Sequence, residues 1–108
     1  MNKENISDRE RAMLGNIGEL MRLDRRHFDL LFYAYRVIKI QGKAMRIDVG
    51  QILSLGVPLV KAIADVKGVS NQDVVSQINN EGVVYLDIKA AFESMTVEGG
   101  LYHNPVKS

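Results

Sequence analysis

The sequence predicts an all-α fold, a compact bundle of about five or six short helices joined by glycine-containing tight turns. Three observations lead there. Apolar residues recur at three- and four-residue steps through most of the chain, the period of a helix with one buried face. Gly42, Gly56 and Gly68 each follow the last periodic residue of a segment, where a helix commonly ends in left-handed backbone. Helix-starting residues stand at the matching places: Ser7 and Ser70, whose hydroxyls can accept a free backbone amide, and Pro58, whose fixed φ suits a first turn.

The first helix opens at Ser7, with Glu10 three residues on, a capping box in which hydroxyl and carboxylate each satisfy the other's amide. Ala12, Met13, Ile17, Leu20 and Met21 continue the apolar face. Gly15 and Gly18 each weaken this helix by roughly 1 kcal/mol relative to alanine. The second helix is predicted over Arg25–Gln41, with Phe28, Leu31, Phe32, Tyr35 and Ile38 on one stripe and Gly42 as its stop. A short helix over Asp48–Leu55 follows, with Asp48 as N-cap and Gly56 as terminator. Pro58 then starts a helix that turns Leu59, Val60, Ile63, Ala64 and Val66 inward and stops at Gly68. Ser70 and Asp73 open the next helix, which buries Val74, Val75 and Ile78 and closes at Asn79-Asn80-Glu81-Gly82. Val83, Val84 and Tyr85 form an extended link, and a last helix over Leu86–Thr96 points Ile88, Ala91, Phe92 and Met95 at the core. Leu101–Ser108 has no periodicity and is expected to be exposed.

The totals agree with this outline. With 108 residues, 46% hydrophobic and 25% charged, the chain has the size and composition of one soluble domain with its own core. It has no cysteine, so it cannot build a disulfide framework or a thiolate metal site. No apolar run approaches the roughly 18 residues that suggest a membrane span. The polar start Met1-Asn2-Lys3-Glu4-Asn5 lacks the apolar core of a signal peptide, and an intracellular origin is the expectation. The net charge of +1 hides an asymmetry. Arg22, Arg25, Arg26, Arg36, Lys39, Lys43 and Arg46 crowd the segment 22–46, against only Asp24 and Asp29 there, and the second half is mildly acidic.

Chemistry-bearing motifs are sparse. His27 and His103 stand far apart and outside metal-ligand spacing, and no serine sits in a nucleophile elbow. Gly99-Gly100 follows a helix instead of preceding one, so it builds no phosphate cradle. The sequence therefore predicts no catalytic residue, no cofactor and no metal. One pattern suggests another class: Leu59–Gly68, Val69-Ser70 and Asn71–Asn79 have the helix-turn-helix outline of small DNA-binding regulators. Its recognition positions would be Asn71, Gln72, Asp73 and Gln77. They include an acid and no Arg or Lys, which disfavours nucleic acid because phosphate neutralisation supplies much of such affinity.

The order of the turn and cap marks is more specific than any one of them. Gly42-Lys43, Gly56-Val57-Pro58, Gly68-Val69-Ser70, Gly82, Ala91-Phe92, Met95-Thr96 and Glu98-Gly99-Gly100, followed by the aromatic Tyr102, resemble the conserved N-terminal domain of phage tail tape measure proteins. On that resemblance, residues 25–104 correspond to the tape-measure-like helical domain. Residues 1–24 are an N-terminal helical segment without a family motif, and 105–108 are a tail, all within one domain. The link from Gly82 to Phe92 is one residue shorter than the family's, so either the turn is tightened or Glu81 takes the family glycine's place.

The resemblance implies a structural role in tail assembly and tail-length determination. Contacts would be to tail tube or tip proteins and assembly chaperones, with self-association a further option, in the bacterial cytoplasm during assembly and later in the tail lumen. Even as one continuous helix at about 1.5 Å per residue, 108 residues would span only about 160 Å, so such a domain would belong to a longer protein. The expected contact surface comprises Arg22, Arg25, Arg26, Arg36, Lys39 and Tyr33. Some of Phe32, Tyr33, Tyr35 and Tyr102 are expected to be exposed on it.

Overall fold

The computed structural model describes residues 6–96. Among these are six helices, α1 (Asp8–Leu20), α2 (Arg25–Gln41), α3 (Arg46–Leu53), α4 (Leu59–Lys67), α5 (Asn71–Asn80) and α6 (Tyr85–Thr96). Two short strands, β1 (Lys43–Ala44) and β2 (Val83–Val84), pair antiparallel with Lys43 opposite Val84 and Ala44 opposite Val83. The fold is the all-α bundle that the periodicity predicts. It measures 39 × 32 × 26 Å. The last described helix, α6, is central, packing on α4 and on α1, while α3 lies among α2, α4 and α5. Leu14, Leu31, Tyr35, Ile38, Ile52, Leu59, Ile63, Val74, Ile88, Phe92 and Met95 are fully buried between them.

Local chemistry accounts for most boundaries. The Ser7 hydroxyl accepts the Glu10 amide at 3.0 Å and the Glu10 carboxylate accepts the Ser7 amide at 3.1 Å, the predicted capping box. Asp24 caps α2 by accepting the His27 amide at 2.8 Å, and Ser70 caps α5 by accepting the Asp73 amide at 3.0 Å. Gly42, Gly56, Gly68 and Gly82 all have positive φ. Gly82 takes φ +85° while Glu81 stays at −143°, so the glycine itself holds the left-handed position.

Several expectations need correction. Asp48 is the third residue of α3, not its N-cap: the helix starts at Arg46, and the carboxylate reaches back to accept the Met45 amide at 2.8 Å. Pro58 occupies the cap of α4, one residue before the first helical one. Val66 and Val75 are exposed. Val66 lies in the last turn of α4, and Val75 is a 100° step from the narrow Val74–Ile78 stripe that α5 buries. Phe28 and Phe32 only rim the core. The extended link at Val83 is a true strand, recruited because the chain leaving α2 runs beside it and supplies the other half of the ladder. Tyr85 then starts α6, its amide donating to the Gly42 carbonyl at 2.9 Å.

One helix end was not legible. Arg22 is the single non-glycine residue with positive φ (54°) among those described. The Leu23 amide donates to the Gly18 carbonyl at 2.9 Å and the Arg22 amide to that of Glu19 at 3.1 Å, a Schellman closure with arginine where glycine is usual. Gly18 also has a packing reason. A Cβ there would lie 2.6 Å from the Phe28 ring, so the glycine lets α2 approach α1.

These geometries rank three substitutions. Gly82→Ala should cost about 3 kcal/mol, adding a clash with the Ala44 carbonyl at 2.7 Å to the left-handed penalty of about 1–2 kcal/mol. Gly42→Ala, with the same φ but open space, should cost only that penalty of about 1 kcal/mol. Arg22→Gly should stabilise by about 1 kcal/mol. Urea unfolding of the three variants checks the order.

Candidate functional site

The principal polar cluster is built around Glu10, a carboxylate only 2% exposed. It lies on the buried face of α1 with Met13, Leu14 and Ile17, at steps of three, four and seven residues. Tyr35 of α2 donates its hydroxyl to Glu10 Oε2 at 2.7 Å, and Tyr85 of α6 donates to the same oxygen. The two phenol oxygens are 3.2 Å apart. Lys39, one turn beyond Tyr35, places Nζ 2.5 Å from Glu10 Oε1, where the Ser7 amide also arrives. The Tyr35 ring meets Tyr85 and Phe92 edge to face, at centroid distances of 5.8 and 5.5 Å.

The electrostatics of the cluster follow from this geometry. Burial alone would push the Glu10 carboxyl up, but the Lys39 ammonium, the two phenols and the Ser7 amide outweigh it and hold the group at about 2. Tyr85 is pushed up to about 12, by burial first and then by donating to the carboxylate. Tyr35 is driven well above the usual phenol range by burial, and then by its bonds to Tyr85 and Glu10. At neutral pH Glu10 is thus a carboxylate and the two phenols that donate to it are neutral. Chemically the cluster is a lock: it joins α1, α2 and α6 through charge-assisted hydrogen bonds.

Two clefts of about 420 Å³ each open on the surface. One runs between α1 and α6 and is lined by Arg9, Met13, Lys89 and Glu93 among others. The other lies where α2 ends, between Ile40 and the Val84–Leu86 segment.

Compared with known protein families, curated proteins and solved structures, the chain matches none.

The residues expected on a contact surface divide. Tyr33 is 60% exposed, and Arg22, Arg25, Arg26 and Arg36 are exposed as well. Lys39 is turned inward, its ammonium committed to Glu10. Of the aromatics, Tyr35 is fully buried and Phe32 half-buried under the Arg11 guanidinium, 5.1 Å from its ring centroid. Glu98, Gly99, Gly100 and Tyr102 lie outside the described residues. The N-terminus of α5 exposes Asn71, Gln72 and Asp73, while Gln77 is half-buried and donates to the Gly82 carbonyl at 3.3 Å. Among the described residues no single helix is long and apolar enough to cross a membrane; α3 and α4 reach that length only as a pair bent by 118°.

Sequence reasoning found Glu10 only as a cap. Its second role had a signal: a carboxylate at the i−3, i−4 and i−7 positions of Met13, Leu14 and Ile17 stands on the apolar face, and a charge there needs a partner. Because the folded pKa lies below the ordinary 4.5, the stabilisation is present above about pH 5 and is lost as pH falls toward 2. A shift from 4.5 to about 2 corresponds to roughly 3 kcal/mol. Urea unfolding between pH 7 and pH 2 should show that loss in the native sequence. Glu10→Gln should be less stable at pH 7 and lose correspondingly less on acidification.

Proposed function

We propose that this chain is a structural and assembly module of a phage or prophage tail tape measure protein, working through protein–protein contact and not through catalysis. The observation that carries the reading is the ordered series of turn and cap marks from Gly42-Lys43 to Met95-Thr96. The backbone supports it: the glycines at 42, 56, 68 and 82 all use the left-handed conformation, so each has the conformational reason that a fixed position in such a series requires. The surface supports a contact role too. Leu30, Tyr33, Ile40, Ile47 and Leu86 stand between 44% and 72% exposed, and exposed apolar and aromatic side chains supply interface area.

On this reading the module acts inside a longer protein, since a body 39 Å in its longest dimension cannot set a tail's length by its own extent. Its partners are tail tube or tip proteins and assembly chaperones. It is at work in the host cytoplasm during assembly and in the tail lumen afterwards.

The test is the native reading frame. It should run well past 108 codons and lie within a cluster of tail genes. A frame that ends at 108 codons, outside any such cluster, overturns the proposal and leaves the fold as described.

A further inference from the structure

The turn between α1 and α2 stands apart from the others. Every other connection between successive helices carries a glycine with positive φ, at 42, 56, 68 or 82. The link Met21-Arg22-Leu23-Asp24 has no glycine, and Arg22 takes the left-handed conformation instead, at φ 54°. Met, Arg and Leu are among the better helix formers, so the local preference of the link is to continue α1 into α2. Local preference and the observed turn disagree here.

The sequence is also in phase for a continuous helix. Glu10, Met13, Leu14 and Ile17 stand 18 residues before Phe28, Leu31, Phe32 and Tyr35, which is five whole turns at 3.6 residues per turn. A helix unbroken from Asp8 to Gln41 therefore carries both inner stripes on one face. At about 1.5 Å per residue it would span about 51 Å, against 39 Å for the whole body. Its first half would then point away from the groove that α2 and α6 form for α1. In the closed chain Glu10 bonds Tyr35, the Arg11 guanidinium covers Phe32, and Gly18 lies against the Phe28 ring. The midpoint of each pair falls within about a residue of Arg22. Two continuous helices laid antiparallel and crossing at Arg22–Leu23 thus bring the same pairs together between copies.

We propose that α1 is an exchangeable element: two copies of this chain open at Arg22, and each lays its α1 in the groove between α2 and α6 of the other. Short links held in a strained conformation invite such exchange. The groove itself fixes the occupant, since Tyr35, Lys39 and Tyr85, which bond Glu10 of the same chain, would bond Glu10 of the second copy in the same way. The exchange is reciprocal and closes on itself about a two-fold axis. The contacts of α1 with the body are re-formed, so the two forms differ at the link. What opposes opening there is Asp24, which caps α2 only in the closed chain. The inference does not rest on the tape-measure reading.

The purified chain, unfolded in urea and refolded by dialysis, tests it. Refolding at about 10 µM should give a single-chain mass in sedimentation, and refolding at about 1 mM a two-chain fraction. In a dimer of labelled and unlabelled chains, isotope-filtered spectra should place the Tyr35 ring of one chain against α1 of the other. Arg22→Gly relieves the closed turn and weakens the open helix, so it should reduce association at least ~25-fold, about 5-fold at each of two links. Asp24→Ala removes the cap and favours the helix, so it should strengthen association about 25-fold. A single-chain mass at every concentration overturns the proposal. So does a dimer without the filtered contact, or one that the two substitutions fail to move in opposite directions.

Discussion

The Glu10 carboxylate accepts hydrogen bonds from its own helix's N-terminus, from Tyr35 and Lys39 of α2 and from Tyr85 of α6, and so fixes how three helices are rotated against one another. Each donor is also a packing element. Tyr35 carries its ring against Phe92, which sets the depth at which α6 enters the core. Tyr85 is the first residue of α6 and is tied through its amide to the end of α2. The carboxylate therefore sits where apolar packing alone would leave the rotation of α1 open, since Met13, Leu14 and Ile17 could be buried at slightly different angles. A buried charge tolerates no such freedom, because each misplaced donor leaves it uncompensated.

The small sheet fixes a second constraint that helix packing does not. Residues 42–44 leave α2 and residues 82–84 lead into α6, so pairing them joins the end of one central helix to the start of the other. Gly82 is needed on both counts: its left-handed φ turns the chain out of α5, and its missing side chain leaves room for the Ala44 carbonyl. The Lys43 ammonium adds a bond to the Glu81 carbonyl at 3.1 Å, which ties off a helix end that would otherwise keep a free acceptor. The ladder and the Glu10 cluster meet at Tyr85, which is why that residue belongs to both.

What was legible in the chain, and what was not, follows from the range of the interactions involved. Helix number, the caps at Ser7 and Ser70 and the stops at Gly42 and Gly68 depend on residues within four positions of one another, and the sequence displays them directly; Gly56, expected to stop α3, instead lies two residues beyond its cap at Ser54, in the turn that leads to α4. The strand at Val83 depends on a partner forty residues away, and two residues of alternation are too few to announce it. Arg22 hid a helix end because the Schellman closure uses backbone atoms, so its glycine preference can be overridden by packing nearby. Glu10 was half legible. Its local bond to Ser7 could be read, whereas Tyr35 and Tyr85 lie 25 and 75 residues away, and only the carboxylate's place on an apolar stripe hinted at them.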